Sequence, residues 1–244
     1  LKRIALLAAL LLICTVAGIS QTTFSNIESM SGITSCSTCA GAGGSGPAAS
    51  FWMKQNVASP SLDGHSTQFF LGGTTPYSDA MWTKKLPISS TNLRHFVFDT
   101  YYYITNPSAV QGLEFNITDY LSSKGYTFGM TCDVRSSGTW KISVPNSSNS
   151  SMGQMHWQST GIACPAPTPY VWNHVTFEAE RTSDNKVHFI SLTVNNKKSY
   201  INTTVYARYC PSGWGGVTTH IQLNGNSKQD DYSLWADKYN VKVW

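Results

Sequence analysis

The stretch WNHVTFEAERTSDNKVHFISLTVNN, residues 172–196, has the alternation of a β-protein. Val175, Phe177 and Ala179 alternate with His174, Thr176, Glu178 and Glu180. A period of two sends successive side chains to opposite faces of a strand, so one face is apolar and the other polar. The turn formers Thr182, Ser183, Asp184 and Asn185 follow, and then a second apolar run, Val187 to Val194. That order predicts a β-hairpin. Asn195 and Asn196 signal a further tight turn.

The same alternation recurs on both sides of this hairpin. Short stretches rich in Val, Ile, Phe, Tyr, Trp and Thr predict strands at 67–71, 95–104, 112–118, 127–134, 139–144, 217–224 and 239–244. Gly, Pro, Asn and Ser clusters separate them, and no apolar period of 3.6 residues competes. The NPSA turn at 106–109 predicts a hairpin between the second and third of these strands. Regularly spaced short strands of this kind predict an all-β protein, a two-sheet antiparallel β-sandwich. A chain of 244 residues fits one such domain, placed here at 51–244.

Alternation also assigns faces. Leu113, Phe115 and Ile117 form a core side, which turns Glu114 and Asn116 away from it. Val217, Thr219, Ile221 and Leu223 point inward, leaving Thr218, His220 and Gln222 together on the opposite face.

The N-terminus has a different character. Lys2 and Arg3 precede an apolar run from Ile4 to about Val16, followed by the small residues Ala17, Gly18 and Ser20. That layout predicts a secretory signal peptide over 1–20, because the apolar run is short of the ~20 residues a membrane span needs. Residues 21–50, with the Gly/Ala/Ser-rich CSTCAGAGGSGPAAS, read as a flexible leader. Secretion, to the extracellular space or a periplasm, is therefore expected, with no membrane insertion after cleavage.

Removing Lys2 and Arg3 lowers the formal net charge from +4 to +2. So small an excess gives no footing to a nucleic-acid partner. Charged residues make up only 12% of the chain, while it carries eight Trp and twelve Tyr. Such a composition favours neutral, hydroxyl-rich ligands over phosphates.

Several segments carry a family resemblance. They are SPSLDGHSTQFFLGG (59–73), HFVFDTYYYI (95–104), GLEFNI (112–117), the hairpin above and DKYNVKVW (237–244). Together they resemble the concanavalin A-like lectin/glucanase superfamily, with its laminin-G-like members and secreted bacterial proteins of the same jelly roll. The resemblance implies a jelly roll over 51–244 and a carbohydrate-related role. It does not specify a function, because this fold hosts lectins, hydrolases and lyases alike.

In the glucanase branch both catalytic carboxyls come from one strand, as E-x-D-x-E or the bulged E-x-D-x-x-E. A retaining glycosidase needs them about 5–5.5 Å apart. Carried onto this chain, Glu114 matches the nucleophile and Asn116 replaces the assisting Asp. Asp119 takes the acid/base place only if the strand is bulged; otherwise Thr118 stands there. The lyase branch implies Gln, His, Tyr and Arg on one sheet. His220 and Gln222 supply two, with Tyr101, Tyr103, Arg94 and Arg135 as possible partners. The catalytic candidates are thus Glu114, Asp119 and His220.

Sugar binding needs aromatic faces for the apolar side of a pyranose and planar polar groups for its hydroxyls. Glu114, Asn116, His220 and Gln222 are the polar candidates, with Trp140 and Trp214 as aromatic ones. Tyr77, Trp82, His156 and Trp157 also lie near expected loops or strand edges, whereas Trp172 and Trp235 read as core. No paired CxxC or H-x-x-x-H supports a metal centre, and no cofactor is expected. A loop Ca²⁺ at Asp63 or at Asp230–Asp231 is the exception allowed for.

Loss of Cys14 with the signal leaves Cys36, Cys39, Cys132, Cys164 and Cys210, an odd number. Cys132 ends one expected strand and Cys164 precedes the loop to Trp172, which favours a Cys132–Cys164 disulfide. Cys36 and Cys39 close locally and leave Cys210 free, or Cys210 takes one of them. The expected function is a secreted lectin-like module for a neutral poly- or oligosaccharide. A polysaccharide-degrading enzyme or a structural, adhesive protein are the alternatives.

Overall fold

The computed structural model describes residues 20–37 and 49–244. The expected signal peptide lies outside the described residues, except for Ser20. Sixteen strands are present among the described residues. In the first half they are β1 (Thr22–Phe24), β2 (Thr34–Cys36), β3 (Ala49–Val57), β4 (Ser66–Gly73), β5 (Asp79–Leu86), β6 (His95–Ile104), β7 (Val110–Leu121) and β8 (Lys124–Asp133). The second half adds β9 (Thr139–Pro145), β10 (Met155–Ala163), β11 (Trp172–Arg181), β12 (Lys186–Val194), β13 (Lys197–Tyr206), β14 (Arg208–Tyr209), β15 (Gly216–Gly225) and β16 (Tyr232–Val243).

These strands form two antiparallel sheets. One runs β13-β12-β11-β6-β16-β4-β3, with β1 also on β16. The other runs β10-β9-β8-β7-β15-β5-β2, with β14 on β8. The expected two-sheet sandwich, a jelly roll, is therefore the observed one. The opening hairpin is β11–β12, and Asn195 and Asn196 take positive φ (46° and 69°) at the β12–β13 turn. Left-handed backbone at both positions is what a tight hairpin turn requires, and asparagine tolerates it.

The NPSA turn behaves differently from its expected role. β6 and β7 lie in different sheets, and a 3₁₀ turn at Pro107–Ala109 carries the chain across. Ala109 and Val110 are buried there, so the apolar end of the turn serves the core.

Both inner faces interdigitate. Phe98 of the first sheet stacks on Phe177 at 5.1 Å and meets Phe115 of the second sheet at 5.6 Å. Burying each such ring contributes roughly 1.5–3 kcal/mol, which is why alternation decides the architecture.

The leader boundary needs correction. β1 pairs with β16 and β2 with β5, so residues 22–36 belong to the sandwich. Ile27 is fully buried in the core, and the Glu28 carboxylate accepts the Lys238 and Tyr239 amides at 3.1 and 3.0 Å. A short segment with few apolar residues reads as flexible because its partners are remote in sequence: β1 pairs with residues 241–243 and β2 with residues 81–83. The Gly-rich stretch 38–48 lies outside the described residues.

Cys132 and Cys164 form the expected disulfide, and Cys210 is a free, buried thiol. Cys36 is disulfide-bonded as well, while Cys39, its expected partner, lies outside the described residues. No helix among the described residues is long and apolar enough to cross a membrane.

Candidate functional site

The outer face of the second sheet carries the polar candidates. β7 runs beside β8 and β15, and alternation turns Glu114, Asn116, Thr118 and Tyr120 outward together. Gln222 sits opposite Glu114, His220 opposite Asn116 and Thr218 opposite Thr118. Four of the expected ligand-binding residues therefore share two adjacent rows.

Asp119 does not join them. The ladders to β8 and β15 keep an unbroken register from Leu113 to Tyr120. Without a bulge, Asp119 falls on the core face, where it is 0% exposed and 3.2 Å from the Arg181 Nε. Burial raises its carboxyl to about 6 against the pull of Ser90 and Arg181. Thr118 holds the third outward position, so the glucanase carboxyl pair is not assembled on this strand.

A cleft of about 350 Å³ lies over these residues. Its floor includes Asn116, Thr118, Thr127, Thr218 and Gln222, and its walls include Trp157 of β10 and Trp214. Trp214 is 49% exposed and meets Tyr120 edge-on at 5.3 Å. The loop glycines beside it, with φ of 93° at Gly213 and 90° at Gly216, bend the backbone so that the indole reaches the cleft.

Hydrogen bonds hold the floor in place. The Gln222 and Asn224 amides both donate to the Glu114 Oε1 at 3.0 Å. The Thr118 hydroxyl donates to the Asn116 Oδ1 at 3.1 Å. Gly129 of β8 makes room for that amide: a Cβ at this position would lie 2.7 Å from the Asn116 Nδ2.

The electrostatics are unusual for so polar a surface. Burial pushes the Glu114 carboxyl up to about 8, aided by Asp79 and opposed by Asn224. Burial and the nearby Arg208 push the His220 imidazole down to about 3. Both groups are thus mainly uncharged at neutral pH. The ring nitrogens of His220 make no hydrogen bond among the described residues. Arg208 donates to the Met152 carbonyl at 3.1 Å and to the Ser143 hydroxyl at 3.0 Å. Its guanidinium falls to about 10 through burial and stays charged.

Other expected residues lie elsewhere. Trp140 is 1% exposed and packs on Phe115 at 6.1 Å, so it belongs to the core and not to the ligand face. The signal was in its strand, since Trp140, Ile142 and Val144 alternate with Lys141 and Ser143. Trp172 and Trp235 are the converse case, half-buried around Tyr103 on the outer face of the first sheet. Tyr101 and Tyr103 are on that sheet too, and Arg94 donates to the Thr182 carbonyl at 2.7 Å. Arg135 binds the Val110 carbonyl beyond the end of β8. None of the four joins His220 and Gln222 in this cleft; Tyr120 and Arg208 do.

Tyr120 continues the outward series of Glu114, Asn116 and Thr118, and Gly129 breaks a strand of larger residues, which marks close approach. Arg208 has no local signal. The Asp63 carboxylate accepts the His65 amide at 3.1 Å and that of Asp230 the Asn226 amide at 3.1 Å. No group of three or more His, Cys, Asp or Glu able to hold a metal ion occurs among the described residues.

No family model matches the chain, and no curated protein matches it. Solved structures do. The alginate lyase vAL-1 from Chlorella virus shares 10% identity over 78% of this chain and 91% of its own, with a TM-score of 0.48. The carbohydrate recognition domain of Emp46p, in its potassium-bound form, shares 8% over 80% and 88%, at 0.39. A native glycosidic hydrolase shares 10% over 80% and 89%, at 0.40. These likenesses concern overall architecture, and no residue of the cleft is assigned through them.

Proposed function

We propose that this chain is a secreted carbohydrate-binding module that holds a neutral poly- or oligosaccharide in the cleft on its second sheet. The observation that carries the reading is the pairing of two tryptophans, Trp157 and Trp214, with an amide- and hydroxyl-lined floor. Indole faces cover the apolar side of a pyranose, while Asn116, Gln222 and the threonines meet its hydroxyls. A neutral Glu114 donates a hydrogen bond without bringing a charge. The Cys132–Cys164 bond fits an oxidising compartment, which supports the expected secretion.

Hydrolysis is the weaker reading. Glu114 is protonated and has the acidity of a general acid, but the strand offers it no second outward carboxyl. One arrangement favours a lyase: His220, Gln222, Tyr120 and Arg208 share the cleft. Elimination needs a base at the sugar C5, a proton donor and a cation against the uronate. Against it stands His220 itself, because an imidazole lowered to about 3 is a feeble base.

A polysaccharide pull-down followed by titration calorimetry tests the reading, with reducing-sugar and unsaturated-product assays on the same panel. Binding without turnover, weakened by Trp214→Ala and by Gln222→Ala, is expected. Turnover abolished by Glu114→Gln would replace it with the enzyme reading.

A further inference from the structure

The cleft does not stop at Glu114. A second hollow of about 380 Å³ shares Glu114 and Trp157 with it. A third, of about 580 Å³, shares Tyr77, Gln111 and Ser136 with the second. The three follow β7 from Tyr120 to Gln111, about 30 Å at the ordinary strand rise. Each is the size of a single small-ligand pocket, and together they make a trough.

Tyr77 stands where the second and third hollows join. It is 49% exposed, and its φ of 60° puts a tyrosine in the left-handed region. A bulky residue with this backbone is uncommon and marks a position held by its surroundings. Here the Tyr77 amide donates to the Asn226 carbonyl at 3.0 Å. In the same hollow, Arg135 is fixed by the Val110 and Pro107 carbonyls, both at 3.1 Å. The far hollow is thus built from a presented aromatic ring and an anchored planar donor.

We infer that Tyr77 forms a distal subsite, which takes a further pyranose unit of the same polysaccharide chain and makes the trough a binder of extended polymer. It rests on the carbohydrate reading of the central cleft. The ring packs on Tyr77, and its hydroxyls face Gln111, Ser136 and the Arg135 guanidinium. The site therefore discriminates by chain length, through a residue with no place in the central cleft.

Calorimetry with size-graded β-glucan and xylan oligosaccharides, both neutral, tests this. Tyr77→Asn removes the ring and suits the left-handed backbone, and Tyr77→Phe keeps the ring. Hexa- to octasaccharides are expected to bind wild type more tightly than di- and trisaccharides. Tyr77→Asn should weaken the long ligands about tenfold and leave the short ones unchanged, whereas Tyr77→Phe should bind every length as wild type does. Equal affinity at all lengths, or no effect of Tyr77→Asn on long ligands, overturns the distal subsite while short-ligand binding upholds the central cleft. Absence of binding at every length overturns both.

Discussion

Asp119 and Arg181 face each other inside the sandwich, the Arg181 Nε 3.2 Å from the Asp119 Oδ2 and the two side chains 0% and 2% exposed. Arg181 also donates to the Ser90 carbonyl at 3.0 Å and lies over the Tyr126 ring at 5.2 Å. Neither Asp119 oxygen makes a well-aligned hydrogen bond, so the contact is mainly one of charge. The residue that would complete a glucanase site instead ties β7 to β11.

Removing one member of such a pair strands the other in the core. Arg181→Met is expected to destabilise the fold by about 3–5 kcal/mol in urea unfolding, and adding Asp119→Leu to recover much of that loss. Sugar binding by folded protein should stay as in wild type, because the pair lies on the face away from the cleft. A loss of turnover or binding specific to Asp119→Asn, at unchanged stability, would return Asp119 to the site.

The two tryptophans expected to share a role should separate. Trp140→Ala opens a cavity against Phe115 and should lower stability by about 3–5 kcal/mol. Trp214→Ala should change stability by no more than about 0.5 kcal/mol yet weaken oligosaccharide binding about tenfold. Denaturant curves and calorimetry on the same preparations read both. Equal effects of the two substitutions on binding would contradict the assignment.

Glu114 makes stability depend on pH in a defined direction. Its folded carboxyl titrates at about 8 against an ordinary 4.5, so between those values the folded state keeps a proton that the unfolded state has lost. The contribution is therefore favourable at low pH and is lost as pH rises through that window. A glutamine at 114 can still accept from Gln222 and Asn224 without ever ionising. Glu114→Gln should match wild type in Tm near the lower value and exceed it near the upper one. Parallel Tm profiles across the window would show that Glu114 titrates normally.

Gly129 is expected to tune the site from beneath. Gly129→Ala places a methyl 2.7 Å from the Asn116 Nδ2 and 3.2 Å from the Ser143 Cβ. The amide is the end of a movable side chain, so it should shift rather than the sheet. We expect a stability loss of about 1–3 kcal/mol and a several-fold loss of oligosaccharide affinity. Asn116→Ala in the same background should then cause little further loss of affinity, since the amide is already displaced; additive losses would show that Gly129 acts elsewhere.

Which way most of these side chains face is legible in the amino-acid order alone. Period-two alternation at Leu113, Phe115 and Ile117, and again at Val217, Thr219, Ile221 and Leu223, is a local property of the backbone. It placed Glu114, Asn116, His220 and Gln222 on one surface and required two apolar faces to meet. Local alternation cannot say whether a strand is bulged, because register belongs to the ladder on both sides; Asp119 was therefore open until β8 and β15 closed around β7. It also cannot bring Arg208, Trp157, Trp214 and Tyr77 to one trough. Those residues come from separate strands and loops, and only the pairing order of the second sheet, with the β6–β7 crossover, sets them beside Glu114. Sequence dictated the faces because sterics act between neighbours. The company each face keeps depends on burial and strand pairing, which act across the whole chain.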